Sequence, residues 1–387
     1  MWTGDKNFFN ILQLAGGDVG AQALQDFIDT FDDQYNKLER DGFKIAPMQA
    51  SLTFEQLEKN YGINAMATVV DIDSPGTPIS EGVVSLQTGK IPWSKKVASF
   101  DANDYRQMLI NSSVSSDRMG ALKLMSQESL LDKIKRIIDS HTNLLTYQRH
   151  QMVSKAKYQL TEVNNKGGIE GTIFTAKVPD GNITTLTTTK RWWTNDDNST
   201  EGSASKPTED LQKISKVAAR RGRNFHWEVD STTLSDTLGH SQVIEAIGYS
   251  MFPAAASATI ASNVAKNAGR EAQIASLEKI IGFPIKEIDS ISAVDSYDKV
   301  KREVVSTEFR SFEPNVWSLV PDGNIGEWLS AQPIKVDPNG IYAEYYGGRL
   351  MLTYDYDARL KTQNIESEMA SLMVPDKPKY MYILNVK

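Results

Sequence analysis

The sequence contains no cysteine and only four histidines, and these shortages close off much chemistry. Without thiols there is no disulfide framework, no cysteine nucleophile, no zinc ribbon and no iron–sulfur ligand set. His141, His150, His226 and His240 show neither HExxH nor HxH spacing, so a histidine-built metal site has no support. The GxSxG elbow and the GxxxxGK[ST] phosphate loop are missing too. Gly16-Gly17-Asp18-Val19-Gly20 follows no convincing buried strand and reads as a flexible turn. No apolar run approaches the roughly 20 residues of a membrane helix, and Met1-Trp2-Thr3-Gly4-Asp5 lacks the basic and apolar regions of a signal peptide. The expectation is a soluble, unsecreted chain with no cofactor, no metal and no membrane partner. Basic charge is also short. Lys and Arg number 42 against 49 Asp and Glu, a net charge of −7, so the chain lacks the overall cationic coat that gripping phosphates requires.

What remains is ordinary globular material: 387 residues, 40% hydrophobic and 24% charged, enough for one large or two to three modest domains. Two acidic groupings invite chemistry. Asn195-Asp196-Asp197-Asn198 lacks the spaced oxygens, glycine and distal glutamate of a calcium loop and reads as a solvated loop. Asp355 and Asp357 flank Tyr356 at a period of two, which places both carboxylates on one strand face. Paired acids can act as acid and base on a glycan, the alternative reading of a carbohydrate-active enzyme, but a polar strand face explains them as well.

Along the chain, residues 21–40 predict a helix whose Leu24, Phe27, Ile28, Phe31 and Tyr35 make one apolar stripe. Thr53 and Gln56 form a capping box that predicts a short helix to Asn60. With little inside residues 1–70 to bury the stripe, the segment reads as an arm that docks elsewhere through Phe27 and Phe31. Residues 71–101 turn to an extended pattern: a Ser74-Pro75-Gly76 breaker, Gly82 to Gln87, a Thr88-Gly89-Lys90 turn, then Ile91-Pro92-Trp93 leading into Val97 to Phe100. This predicts a long hairpin with Ile91, Trp93, Lys95 and Val97 on one face. Neither face is richly apolar, and a lone two-stranded ribbon is marginal in water, so it needs an outside surface.

From Asp117 to Leu160 no proline occurs, and no glycine after Gly120, while Leu131, Ile134, Ile138, Leu145 and Met152 keep helical intervals. The pattern predicts one long helix, about 60 Å if unbroken at 1.5 Å per residue, with Ser126 as its weakest point. His141 and His150 ride on it as structural residues. A hairpin is expected over Gly171 to Val178, a Pro179-Asp180-Gly181-Asn182 turn and Ile183 to Trp193. After a polar loop, Thr208 caps a helix that Gly222 stops; a strand Asn224 to Val229 follows, then helices opened by Ser241 and running over Arg270 to Ile281. This alternation marks an α/β subdomain over residues 203–300. Strands return over Val300 to Ser306, Val316 to Val320, Ile341 to Tyr346, Leu350 to Tyr356 and Tyr380 to Val386. Lys216, Arg220, Arg221 and Arg223 form a basic cluster that could face DNA or an acidic patch of a like chain, but reads better as a solvated helix end suited to the C-terminal dipole. Trp93, Trp192 and Trp193 fit either interface anchors or ordinary core.

The order of parts resembles the tailed-phage major capsid proteins of the HK97-like fold, in particular relatives of the lambda-type coat protein. Ile91-Pro92-Trp93-Ser94 through Asp104-Tyr105-Arg106 looks like the end of the E-loop, and Asp117 to Leu160 like the spine helix. Val316-Trp317-Ser318-Leu319-Val320-Pro321-Asp322-Gly323-Asn324, Tyr345 to Tyr356 and Leu372-Met373-Val374-Pro375-Asp376-Lys377-Pro378 are similar to the closing region. The resemblance implies an α+β fold: an N-terminal arm (1–70), an E-loop hairpin (71–101), a peripheral domain with the spine helix (102–202), an axial domain (203–300) and a C-terminal β region returning to both (301–387). It implies a non-enzymatic shell subunit that forms pentamers and hexamers around double-stranded DNA, without sequence-specific binding. Ile91, Trp93, Lys95, Val97, Phe27 and Phe31 would be assembly contacts. The further partners implied are a separate scaffolding protein, a portal and auxiliary capsid proteins, with assembly in the host cytoplasm and a final location in the virion. An encapsulin-like cargo shell is the alternative on the same fold.

Overall fold

The computed structural model describes residues 42–58, 85–100, 104, 106–107, 110–111, 113–114, 118–166, 168–195, 197–298, 303–333, 342–357 and 362–387. The helix expected over 21–40, with Phe27 and Phe31, lies outside them. In chain order the strands are β1 (Phe43–Ile45), β2 (Thr53–Glu58), β3 (Ser85–Lys90), β4 (Trp93–Phe100), β5 (Lys157–Leu160), β6 (Gly171–Thr175), β7 (Ile183–Thr185), β8 (Phe225–Asp230), β9 (Ile285–Ile288), β10 (Ile291–Asp298), β11 (Glu303–Arg310), β12 (Val316–Pro321), β13 (Gly326–Ala331), β14 (Tyr342–Tyr345), β15 (Leu350–Asp357), β16 (Thr362–Pro375) and β17 (Tyr382–Asn385). The helices are α1 (Arg118–Lys155), α2 (Pro207–Ala219), α3 (Ser231–Gly239), α4 (Ser241–Met251), α5 (Ala258–Asn267) and α6 (Arg270–Ile281). The chain divides into two units, one of residues 1–54, 90–146 and 328–373, the other of 55–89, 147–327 and 374–387.

The long helix forms without a break at Ser126, over 38 residues. Of its expected seam, Ile134, Ile138, Leu145 and Met152 are fully buried, and Ile137 joins them. Intervals of three and four residues keep these side chains on one stripe of the helix.

In the first unit, β16 is the organising strand. It pairs antiparallel with β15, Leu350 opposite Met369 through Asp357 opposite Thr362, and with β4, Trp93 opposite Ala370 through Phe100 opposite Gln363. The core contains Phe43, Trp328, Leu350, Leu352, Ile365 and Met369. Arg349 ties the first described strand region down: it donates to the Ala46 and Tyr346 carbonyls at 2.7 and 3.1 Å and lies over the Trp328 ring.

Two expectations fail here. The predicted hairpin does not close on itself: β3 pairs with β2, while β4 pairs with β16. The Thr88-Gly89-Lys90 stretch belongs to β3; the break comes at Ile91-Pro92, where proline removes a ladder donor and its ring restricts the preceding residue. The capping-box helix is also absent, because Thr53 to Glu58 is β2 and the Ser51 hydroxyl accepts from the Thr53 amide instead. Threonine and phenylalanine suit a strand, and tertiary pairing overrides a short capping signal.

The second unit is built on a five-stranded mixed sheet in the order β7-β17-β12-β8-β9. β17 runs parallel to β7 and β8 parallel to β9, while β12 lies antiparallel between β17 and β8. The helices expected around residues 203–300 thus belong to a unit whose sheet takes β12 and β17 from beyond residue 300. Trp192, Trp227 and Trp317 are fully buried in its core, with Trp317 centroids 6.3 and 5.9 Å from those of Trp192 and Trp227. Trp192 and Trp193 are therefore core residues, not surface anchors. The strand expected through Trp193 stops at Thr185. Pro207 occupies the first turn of α2 in place of a Thr208 cap, as proline tolerates the missing donor there. Gly222 and Gly282 follow α2 and α6 at φ of 67° and 87°, the left-handed region that glycine enters without penalty. Asp230 caps α3 by accepting from the Thr232 and Thr233 amides.

Helices α4 and α5 cross closely at Gly248. A Cβ on Gly248 would lie 1.9 Å from the Ala261 carbonyl oxygen, whereas one on Gly239 would meet nothing within 4 Å. Overpacking of this kind costs about 1–3 kcal/mol. Gly248→Ala is expected to lower the thermal midpoint by several degrees, and Gly239→Ala to leave it unchanged or slightly raised; calorimetry on both variants measures the contrast.

Candidate functional site

Two surfaces of the described residues are unlike ordinary solvated faces. The first is β4. Its pairing with β16 is the only strand pairing it makes among the described residues, so no described strand lies on its other edge. The site residues expected from sequence separate here. Ile91 is buried, and its amide donates to the Leu52 carbonyl at 2.7 Å, so it packs within its own chain. Trp93 is half-buried. Lys95 is exposed, pairs with Glu368 and approaches Glu366 at 3.3 Å. Val97 is 51% exposed. Of the four, Lys95 and Val97 are the two exposed to solvent; a lysine on an edge strand is a usual guard against unwanted pairing.

The second surface lies on α4 and α5. From Ala246 through Ala265 the sequence carries no charged residue. Tyr249, Phe252 and Ile260 are nevertheless exposed at 36%, 44% and 44%, with Pro253, Ala254 and Ala256 exposed between them. The close Gly248 to Ala261 crossing holds the two helices together beneath this patch. An apolar, uncharged tip on a chain with 24% charged residues marks a contact surface. Sequence reading passed over it because alanine and serine give no amphipathic stripe; the missing charge was the available signal.

The second unit also contains a buried charge cluster. Arg149 of α1 and Glu228 of β8 are 2% and 0% exposed and form a two-pronged pair, Nη1 to Oε2 at 2.9 Å and Nη2 to Oε1 at 2.5 Å. His226 Nε2 lies 3.2 Å and Lys286 Nζ 3.6 Å from Glu228 Oε1, and His226 Nδ1 lies 2.6 Å from Asp322 Oδ1. Burial pushes the Glu228 carboxyl up, but Arg149 above all, then His226 and Lys286, hold it well below the usual carboxylate range. Burial likewise opposes charge on His226, yet its bonds to Glu228 and Asp322 raise its pKa. Arg149 shares the helical face of Leu145 and Met152, where an apolar residue would be expected; spacing alone gives no sign of its partner 79 positions away.

Serine–histidine pairs recur: His141 Nε2 with Ser367 at 2.8 Å, His150 Nδ1 with Ser311 at 2.8 Å and His240 Nε2 with Ser205 at 3.0 Å. Each hydroxyl donates its proton to a carbonyl, of Lys96, Ser290 and Gly202 respectively. The direction of each serine–histidine bond follows the imidazole tautomer, and with a carbonyl as second partner each hydroxyl is a satisfied polar group. Asp355 and Asp357 lie on β15 opposite Asn364 and Thr362. Among the described residues no cluster of three His, Asp or Glu could hold a metal ion, and no helix is long and apolar enough to cross a membrane.

No family model and no curated protein matches the sequence. Solved structures do. A candidate capsid protein from a prophage of E. coli CFT073 superposes with a TM-score of 0.51 at 13% identity, covering 95% of this chain and 98% of that one. The satellite phage P4 procapsid including its size determination protein gives 0.46 at 7% identity over 92% and 98%, and the capsid of a native GTA particle 0.41 at 9% over 90% and 89%. The class is thereby defined: the chain has the fold of the prophage protein, the α+β HK97-like capsid fold.

Removing one partner of a buried pair typically costs about 3–5 kcal/mol, because the other charge is stranded. Arg149→Met is therefore expected to lower the urea midpoint sharply, and Arg149→Met with Glu228→Leu to recover much of the loss. The histidines set the acid limb. Burial holds His141 at about 4 and His150 at about 3, against roughly 6.5 unfolded. Below that value the unfolded chain binds the extra protons, so their contribution is complete above about pH 6.5 and is lost as pH falls toward those lower values. His150→Gln should show a smaller drop in urea midpoint between pH 7 and pH 4.5 than the unsubstituted chain.

Proposed function

We propose that the chain is the shell subunit of a tailed bacteriophage, copies of it assembling as pentamers and hexamers of an icosahedral capsid around double-stranded DNA. The observation that carries the reading is the fold likeness to the prophage protein over 95% of the chain, joined by an uncharged surface on α4 and α5 where Tyr249, Phe252 and Ile260 are exposed. In this reading residues 203–300 supply the axial domain, and Tyr249, Phe252 and Ile260 meet their counterparts on other copies. Lys95 and Val97 offer the open edge of β4 to a neighbour, and β2 with β3 forms the described part of the E-loop. The arm bearing Phe27 and Phe31 docks on another copy. Self-association of identical subunits in closed symmetry then buries what one copy leaves bare.

The chemistry fits a container. A net charge of −7 repels packaged DNA over most of the wall, the serine–histidine pairs are structural, and nothing among the described residues adds to a carbohydrate-active role for Asp355 and Asp357. A separate scaffolding protein, a portal and auxiliary capsid proteins complete the set of partners, with assembly in the host cytoplasm and residence in the virion.

Negative-stain microscopy of the expressed chain, alone and with its scaffold partner, tests the reading. Closed particles are expected, and a chain that stays monomeric at every concentration under both conditions refutes it. Phe252→Asp with Ile260→Lys should leave the circular dichroism melt unchanged while abolishing closed particles.

A further inference from the structure

The net negative charge of the chain hides one concentrated exception. From Leu211 to Trp227 there is no Asp or Glu, but there are Lys213, Lys216, Arg220, Arg221 and Arg223. Lys213, Lys216 and Arg220 recur at intervals of three and four on α2, which places them along one helical face, and Arg221 and Arg223 carry the row past the helix end. Lys213, Lys216, Arg220 and Arg221 are exposed and Arg223 half-exposed. The acids flanking the stretch are Glu209 and Asp210, of which Asp210 acts on Lys213, and Glu228, which is 0% exposed.

Several described cations elsewhere are matched with carboxylates, among them Lys95 with Glu368, Lys133 with Asp104, Arg149 with Glu228, Lys155 with Glu313, Arg270 with Glu287 and Arg310 with Asp230; others stand singly, and what sets this stretch apart is the number of cations gathered without an acid between them. Lys216, Arg220, Arg221 and Arg223 make no ion pair among the described residues. Two of them are instead fixed by aromatic faces. The Arg223 guanidinium sits 4.2 Å from the Tyr380 ring centroid, and Arg221 lies 5.7 and 5.9 Å from those of Tyr380 and Tyr382. The two rings are 7% and 3% exposed, so the platform is anchored in the core. At Arg223 the close ring contact engages the guanidinium and leaves N–H groups for a planar or tetrahedral oxyanion, while Arg221 lies farther from both rings and acts electrostatically on the Tyr382 hydroxyl.

The helix dipole accounts for cations in the last turn of α2 and for nothing beyond it. It explains neither Lys213 near the middle of the helix nor Arg223 after Gly222. A row of cations at helical spacing, ending in two pre-oriented guanidinium groups, matches a line of repeated oxyanions better than one carboxylate.

We propose that Lys213, Lys216, Arg220, Arg221 and Arg223 form a binding track for the phosphodiester backbone of duplex DNA, indifferent to base sequence. This deepens the reading of the chain as a DNA container: a mostly repulsive wall holds the polymer at one defined strip per subunit. Binding of this kind releases condensed counterions, so its signature is a steep dependence on salt.

Fluorescence anisotropy of a labelled random-sequence duplex with the full-length, unassembled protein provides the test. With about four phosphates neutralised, log affinity should fall against log salt with a slope of about −3.6. Lys216→Gln with Arg220→Gln removes two cations that stack on no ring; it should reduce the slope by about 2 and weaken binding at least tenfold at 50 mM salt. Arg221→Gln with Arg223→Gln should do the same, and circular dichroism melts of both variants establish that they fold. An unchanged slope in the folded variants overturns the proposal, as does absence of binding by the unsubstituted chain. It is also overturned if polyglutamate of equal charge displaces the duplex as well as unlabelled DNA does, which would mark the track as a surface for acidic protein. Particle formation is scored separately by microscopy. A chain that binds DNA but never assembles refutes the shell reading alone, and one that assembles without binding refutes the track alone.

Discussion

A carboxylate sits in the middle of the five-stranded sheet with no exposure to water, and the second unit is arranged around keeping it charged. Glu228 on β8 draws Arg149 from the long helix, Lys286 from β9 and His226 from its own strand. Such a cluster gains little over an apolar core in net stability, but it is severe on misplacement, since any register shift of β8 would bury the charge unpaired. The pair therefore fixes where the end of α1 meets the sheet of its unit. On the other face of the sheet Trp227 and Trp317 join Trp192 in the apolar core.

The same unit carries both of its outward features on short helices rather than on the sheet. The α4–α5 tip is apolar and uncharged because the crossing at Gly248 demands small residues, and the flanking alanines and serines keep the helices near enough to present Tyr249, Phe252 and Ile260 together. The end of α2 is the opposite kind of surface, densely cationic and pinned on two tyrosines of the C-terminal segment. Under the proposed shell reading these are separate tasks, one toward identical copies and one toward the cargo. In the first unit, β4 is held on one edge by β16, with no described strand on the other.

Much of this could be read from residue order. The seam of α1, the stops at Gly222 and Gly282, strands β8, β12, β15 and β17, and the basic cluster all follow from local chemistry: periodicity, left-handed glycines and β-rich runs bounded by turns. The errors share one cause. Thr53 to Glu58 and Ser85 to Lys90 are weak local signals, and what they become depends on which distant strand is available. β16, the longest strand, went unrecognised because its Glu366, Ser367 and Glu368 break the apolar alternation, and its structure comes from partners on either side.

The absence of thiol chemistry, the charge balance, the long helix and the order of parts that points to the capsid fold were legible in residue order, because they rest on composition and on contacts between near neighbours in the chain. It took the folded chain to turn Ile91 and the tryptophan pair inward, send β3 and β4 to different sheets, bring Arg149 to Glu228, and set Arg221 and Arg223 against tyrosines more than 150 positions away. Those outcomes depend on strand register and on which charges are stripped of water together. Both are set when remote segments close on one another, and no local pattern encodes them.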